Sequence, residues 1–202
     1  MINKTNTHIM GMTGTGKTYF AYQQACELVK NGEHVLFLSS FDDTDQSNLE
    51  KKSITSQEDI EDVLASILKG ESVHIIFQAG EIGREKSKEF ENDFLHEILK
   101  NIDSLKGVYL FIDEAQNIDD VNLAVLCSEV RKYNIGLILI HQYFDQFSEK
   151  IKSDIRNYFK KGIYFKTFEN DINNILELFP NTGKLKSDFE SLETGQYIVF
   201  EK

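Results

Sequence analysis

Short apolar runs alternate along this chain with longer stretches whose apolar positions recur every three or four residues. The runs are Thr7–Met10, His34–Ser39, Val73–Phe77, Val108–Ile112, Leu137–Ile140, Gly162–Lys166 and Gln196–Phe200. Runs this short and this continuously apolar suit strands covered on both faces. Between them, Tyr19 to Lys30 carries a helical pattern that stops at Asn31-Gly32. Phe90, Phe94, Leu95, Ile98, Leu99, Ile102 and Leu105 hold a helical period over fifteen residues, and Phe144, Phe147, Ile151, Ile155 and Tyr158 hold another. A helix is also expected over Asp119–Tyr133, and one over Gln57–Lys69, where Ser56 and Asp59 resemble a capping box. Strands alternating with helices predict an α/β fold: a mostly parallel central sheet with helices on both faces. Ligands of such sheets sit at the carboxyl ends of the strands.

The first strand runs directly into Gly11, Met12, Thr13, Gly14, Thr15, Gly16, Lys17 and Thr18, a complete G-x-x-x-x-G-K-[ST] phosphate loop with a helix behind it. Backbone N–H groups in such a loop converge on an anion, and its glycines let the main chain approach phosphate closely. The following helix adds the positive end of its dipole. The pattern predicts a P-loop NTPase binding ATP. Lys17 would reach the β- and γ-phosphates, and the Thr18 hydroxyl would ligate Mg²⁺. In the empty loop Lys17 is expected to face solvent.

Two further strands end in polar groups. Val108-Tyr-Leu-Phe-Ile stops at Asp113-Glu114. A carboxylate at the end of a buried strand is costly unless a cation or a reaction uses it. Beside a phosphate loop, Asp113 is expected to hold Mg²⁺ together with Thr18, and Glu114 to orient and polarise the attacking water. Leu137-Ile-Leu-Ile stops at His141-Gln142. A neutral amide there can hydrogen-bond a γ-phosphate or the water, so Gln142 is preferred to His141 as the sensor.

Composition narrows the reading. The 202 residues suit one α/β domain, 1–202, and the single proline gives no sign of a linker. No apolar run reaches the ~20 residues of a membrane span, so a cytoplasmic protein is expected. Cys26 and Cys127 stand alone in helical patterns and read as buried thiols. A net charge of −11 argues against a broadly basic nucleic-acid surface, although Lys150, Lys152, Arg156, Lys160, Lys161 and Lys166 cluster around Tyr158 and Phe159.

Four segments, FIDEAQNI, EVRKYNIGLILIHQ, IKSDIRNYFKKGIYFK and LETGQYIVF, resemble the HerA–FtsK superfamily of P-loop ATPases, and with the phosphate loop the resemblance covers most of the chain. It implies an additional-strand catalytic-Glu core working as a ring, usually a hexamer, around nucleic acid. Asp113 and Glu114 match its acidic pair and Gln142 its polar sensor. Arg131, eleven residues before Gln142, matches an arginine assigned to the neighbouring subunit's nucleotide. The chain departs from the pattern at His141, where Thr or Ser is common, and in its small size. The expected activity is Mg²⁺-dependent ATP hydrolysis driving translocation of double-stranded DNA. A nucleotide-controlled assembly or signalling module, or a protein-secretion ATPase, is the alternative. Gln78 to Lys88, polar and locally basic, is a candidate pore loop.

Overall fold

The computed structural model describes residues 4–42, 49–180 and 183–202. Its strands are β1 (Thr7–Met10), β2 (Val35–Ser39), β3 (Glu50–Ser53), β4 (Val73–Ile76), β5 (Tyr109–Ile112), β6 (Gly136–His141), β7 (Lys161–Tyr164) and β8 (Ile198–Glu201). They form one sheet in the order β3-β4-β2-β5-β6-β1-β7-β8. Every pairing is parallel except β7 with β8. The helices are α1 (Lys17–Lys30), α2 (Gln57–Leu68), α3 (Ala79–Ile82), α4 (Arg84–Lys100), α5 (Asp120–Glu129), α6 (Glu149–Tyr158), α7 (Glu169–Leu178) and α8 (Lys186–Glu190). The expected α/β architecture, a mostly parallel sheet with helices on both faces, is the one observed.

Alternate residues of each central strand face opposite sides of the sheet. Val35, Phe37, Phe111, Ile138 and Ile140 pack with Ala21, Tyr22 and Ala25 of α1. Leu36, Leu38, Leu110, Ile112, Leu137 and Leu139 pack on the other side with apolar positions of α2, α4, α5 and α6. Both faces of the central strands are therefore covered, which explains their continuous apolar runs. The capping box of α2 forms as expected: Ser56 and Asp59 exchange side-chain and backbone hydrogen bonds.

Three expectations are corrected. The strand β3 has the sequence Glu-Lys-Lys-Ser and is largely exposed, so no apolar run marks it. The helix expected to Tyr133 ends at Glu129 and tightens into a 3₁₀ turn over Val130–Tyr133. The period from Phe144 to Tyr158 is broken at Ser148, which caps α6 by accepting from the Ile151 N–H.

Candidate active site

The loop between β1 and α1 opens at the carboxyl end of the sheet, as the topology requires. Gly11 is held where no other residue fits: a Cβ there would lie 2.7 Å from Phe165 Cβ and 3.1 Å from the Lys166 carbonyl oxygen. Gly14 and Gly16 adopt φ of 77° and 99°, a region that L side chains avoid. The Met12 N–H donates to the Lys166 carbonyl (2.8 Å), and the Thr15 hydroxyl donates to the Met12 carbonyl (2.7 Å). The last expected segment, LETGQYIVF, braces the loop from outside. The Gly195 N–H donates to the Thr15 carbonyl at 3.0 Å, and Tyr197 packs on Phe20 with ring centroids 4.7 Å apart.

Lys17 does not face solvent as expected. Its side chain is buried, only 6% of the residue is exposed, and its ammonium donates to the Met12 carbonyl at 3.0 Å. The loop folds back on its own lysine because the converging main-chain groups include that carbonyl as well as N–H groups. Burial lowers the Lys17 pKa, while the carboxylates of Asp113 and Glu114 oppose the shift.

The acidic pair lies directly opposite. The Thr18 hydroxyl donates to Asp113 Oδ2 at 2.8 Å, joining positions ninety-five residues apart. Burial pushes the Asp113 carboxyl up to about 6, against the hydrogen bond from Thr18, and the charge of Glu114 adds to the rise. Glu114 has φ 51°, uncommon for a residue with a side chain and a form of strain found at functional sites. Its carboxylate accepts from Gln142 Nε2 (3.3 Å to each oxygen) and from Gln116 Nε2. Gln142 is itself positioned by Gln146, whose Oε1 accepts from the backbone N–H groups of Gln142 and Tyr143. Thr18, Asp113, Glu114 and Gln142 thus line one cavity of 340 Å³. Its donor set fits magnesium, which takes one or two hard protein oxygens and leaves its other positions to phosphate and water.

His141 belongs to the core. Its ring stacks on His8 with centroids 5.7 Å apart, His8 bonds the Tyr164 hydroxyl at 2.7 Å, and burial pushes the His141 pKa down to about 3. Arg131 is remote from its own phosphate loop. It lines a cavity at the amino ends of the parallel strands with Lys4, Asn6, Asn134, Tyr158 and Lys160. Two members of the basic run Lys150–Lys166 have carboxylate partners within the subunit, and the backbone of a third supports the loop. Lys152 is paired with Asp145 and Glu149, Lys161 with Glu201, and the Lys166 carbonyl supports the phosphate loop.

The sequence reading missed Gln116 and Gln146, which hold Glu114 and Gln142; their only signal was closeness to the acidic pair and the sensor. The segment Gln78 to Lys88, expected as a loop, contains α3 and the start of α4. Arg84, Ser87 and Lys88 line the same cavity as Asp113.

A parallel sheet, a phosphate loop at its carboxyl edge and an acidic pair facing that loop define a P-loop ATPase. The chain belongs to the KaiC ATPase family, whose model matches residues 1–171. Solved structures extend the likeness of fold through β8. The genome packaging NTPase B204 from Sulfolobus turreted icosahedral virus 2, in complex with AMPPCP, superposes with a TM-score of 0.68 at 14% identity, covering 99% of this chain and 94% of that one. VirB4 of Thermoanaerobacter pseudethanolicus gives 0.68 at 12% identity, over 97% and 88%. The bacterial conjugative coupling protein TrwB gives 0.72 at 10% identity, over 98% and 82%. All three are HerA–FtsK-type P-loop ATPases, the resemblance read from the sequence. No curated protein matches the sequence significantly. Among the described residues no helix is long and apolar enough to cross a membrane.

Proposed function

We propose that residues 1–202 form one ATPase domain that works in the cytoplasm, assembles as a hexameric ring and uses Mg²⁺-dependent ATP hydrolysis to translocate double-stranded DNA. The carrying observation for the chemistry is the convergence of Thr18, Asp113, Glu114 and Gln142 on one cavity beside the phosphate loop. The loop from Gly11 to Thr18 receives the phosphates, and Lys17 exchanges the Met12 carbonyl for phosphate oxygens. Thr18 and Asp113 would hold Mg²⁺, which when bound supplies positive charge against those oxygens. Glu114 accepts a proton from the attacking water. The water oxygen bonds to the γ-phosphorus, and the bond to the bridging oxygen breaks with its electron pair leaving on ADP. Gln142 and Gln116 hold the Glu114 carboxylate in place for that transfer.

The proposal that DNA is the polymer moved is supported by the fold shared with a viral packaging NTPase and a conjugative coupling protein. Arg131 is proposed to reach the next subunit's nucleotide, because within its own subunit it sits at the opposite ends of the strands.

The chemistry is tested with Glu114→Gln and Lys17→Met, the second chosen to keep volume where Lys17 is buried. Glu114→Gln should bind ATP normally and hydrolyse it about 10²–10⁴-fold more slowly. Lys17→Met should fold and lose ATP binding or turnover. Wild-type turnover in a folded Lys17→Met protein would remove the site assignment. Weak binding with normal turnover at saturation in Glu114→Gln would make that residue a binding group instead.

A further inference from the structure

The cavity that holds the acidic pair has a second wall, which the scheme above leaves unused. It is the first two turns of α4. Gly83, at φ 86° and ψ 152°, turns the chain in a way only glycine tolerates, and α4 starts at Arg84 with no side-chain cap. Arg84, Ser87 and Lys88 stand three and four residues apart, so they share one helix face. All three line the cavity across from Thr18, Asp113 and Glu114.

Two observations mark this wall as a binding surface. The first is Ser87. It is 1% exposed, and its hydroxyl has no hydrogen-bond partner among the described residues. Leaving a buried hydroxyl unsatisfied is costly. Ser87 lines the cavity with its hydroxyl oxygen just beneath the surface, so a rotation about its first side-chain torsion would offer the hydroxyl to a ligand acceptor. The second is the pair of cations. Among the described residues neither Arg84 nor Lys88 is within ion-pair distance of a carboxylate. The chain holds 33 acidic and 22 basic residues, so carboxylates are in surplus, and Arg84 is one of only three arginines. Glu91, one turn further along the same face, is fully buried, and burial and the charge of Asp113 raise its carboxyl well above the usual range while the charge of Lys88 opposes the shift.

We propose that Arg84, Ser87 and Lys88 form a receptor within the same subunit for the terminal phosphoryl group, as the γ-phosphate of ATP or as the phosphate ion released from it. The ligand chemistry is a tetrahedral oxyanion: a planar fork from Arg84, a point charge from Lys88, a hydroxyl donor from Ser87 and the open N–H groups of the helix end. Arg84 then supplies transition-state charge from the nucleotide's own subunit, distinct from the charge assigned to Arg131 of its neighbour. The inference rests on the proposed hydrolysis in this cavity.

The test compares the wild-type protein with the double variant Arg84→Ala/Lys88→Ala and with Ser87→Ala. Affinities for AMPPCP and ADP are measured by displacement of a fluorescent ADP, and turnover is measured with and without added inorganic phosphate. The double variant should bind ADP as the wild type does, lose tenfold or more in affinity for AMPPCP, and turn over more slowly. Ser87→Ala should lose less in the same direction. Phosphate inhibition seen in the wild type and lost in the double variant assigns the released ion as well; its absence in both assigns the γ-phosphate alone. An unchanged AMPPCP-to-ADP ratio in the double variant overturns the inference, and so does an equal loss for both nucleotides. Failure of the wild type to bind either nucleotide would instead contradict the hydrolysis reading beneath it.

Discussion

Asp113 is 7% exposed and titrates at about 6, against an ordinary value of 3.8. Because the folded state holds this proton more tightly than the unfolded state, the group's stabilising contribution is full below 3.8 and is lost as pH rises through 6. A difference of about two pKa units corresponds to about 3 kcal/mol. At pH 8 the nucleotide-free protein therefore carries a destabilising carboxylate that the proposed chemistry requires. Asp113→Asn should be about 2–3 kcal/mol more stable than the wild type at pH 8, with the gap closing towards pH 4 and nucleotide hydrolysis lost. Denaturant unfolding at the two pH values checks this, and equal stability at pH 8 would show that the carboxylate is not destabilising. Asp113, Glu114 and Gln142 were legible in the sequence because a polar residue ending an apolar strand stands out. Ser87 was not: a serine among charged residues gives no sign that the fold will bury it. The motif leads one to expect Lys17 as a phosphate ligand, but its contact with the Met12 carbonyl depends on loop geometry.

At the scale of elements, neighbouring segments brace the phosphate loop. Gly195, at φ 83°, turns the chain so that its N–H reaches the Thr15 carbonyl. Alanine at such a φ costs about 1–2 kcal/mol. Gly195→Ala should lower the melting temperature and weaken nucleotide affinity. Gly32→Ala, at φ 81° beyond the far end of α1 with no atom near its missing Cβ, should lower the melting temperature alone. Equal nucleotide affinity in the two variants would mean that the last turn does not support the loop. The central strands were legible because both of their faces are buried. The edge strand β3 was not, since it needs only backbone pairing with β4, and its lysines discourage further pairing. The start of α4 was hidden for a similar reason: its first six residues carry no apolar period.

At the scale of the whole molecule, the proposed account needs more than one subunit. Arg131 and the phosphate loop lie at opposite ends of the strands. A ring mixed from Arg131→Ala and Lys17→Met subunits contains interfaces with an intact loop on one side and an intact arginine on the other. Each variant alone should be inactive, and mixing should restore part of the turnover; no recovery in rings shown to contain both would place Arg131 outside the reaction. Of the basic residues that cluster in sequence, as a strip or as a solvated helix face, the fold pairs Lys152 and Lys161 with carboxylates. With a net charge of −11, a single subunit offers DNA little attraction, so binding should require the ring. The most direct test is steady-state ATP turnover of the assembled protein, titrated with double-stranded DNA at low and at high salt. The account predicts that DNA stimulates turnover at low salt whatever its sequence, and that affinity falls with a log–log slope near −0.9 per phosphate neutralised. Turnover that DNA leaves unchanged at low salt, in a particle shown to be a ring, would contradict it.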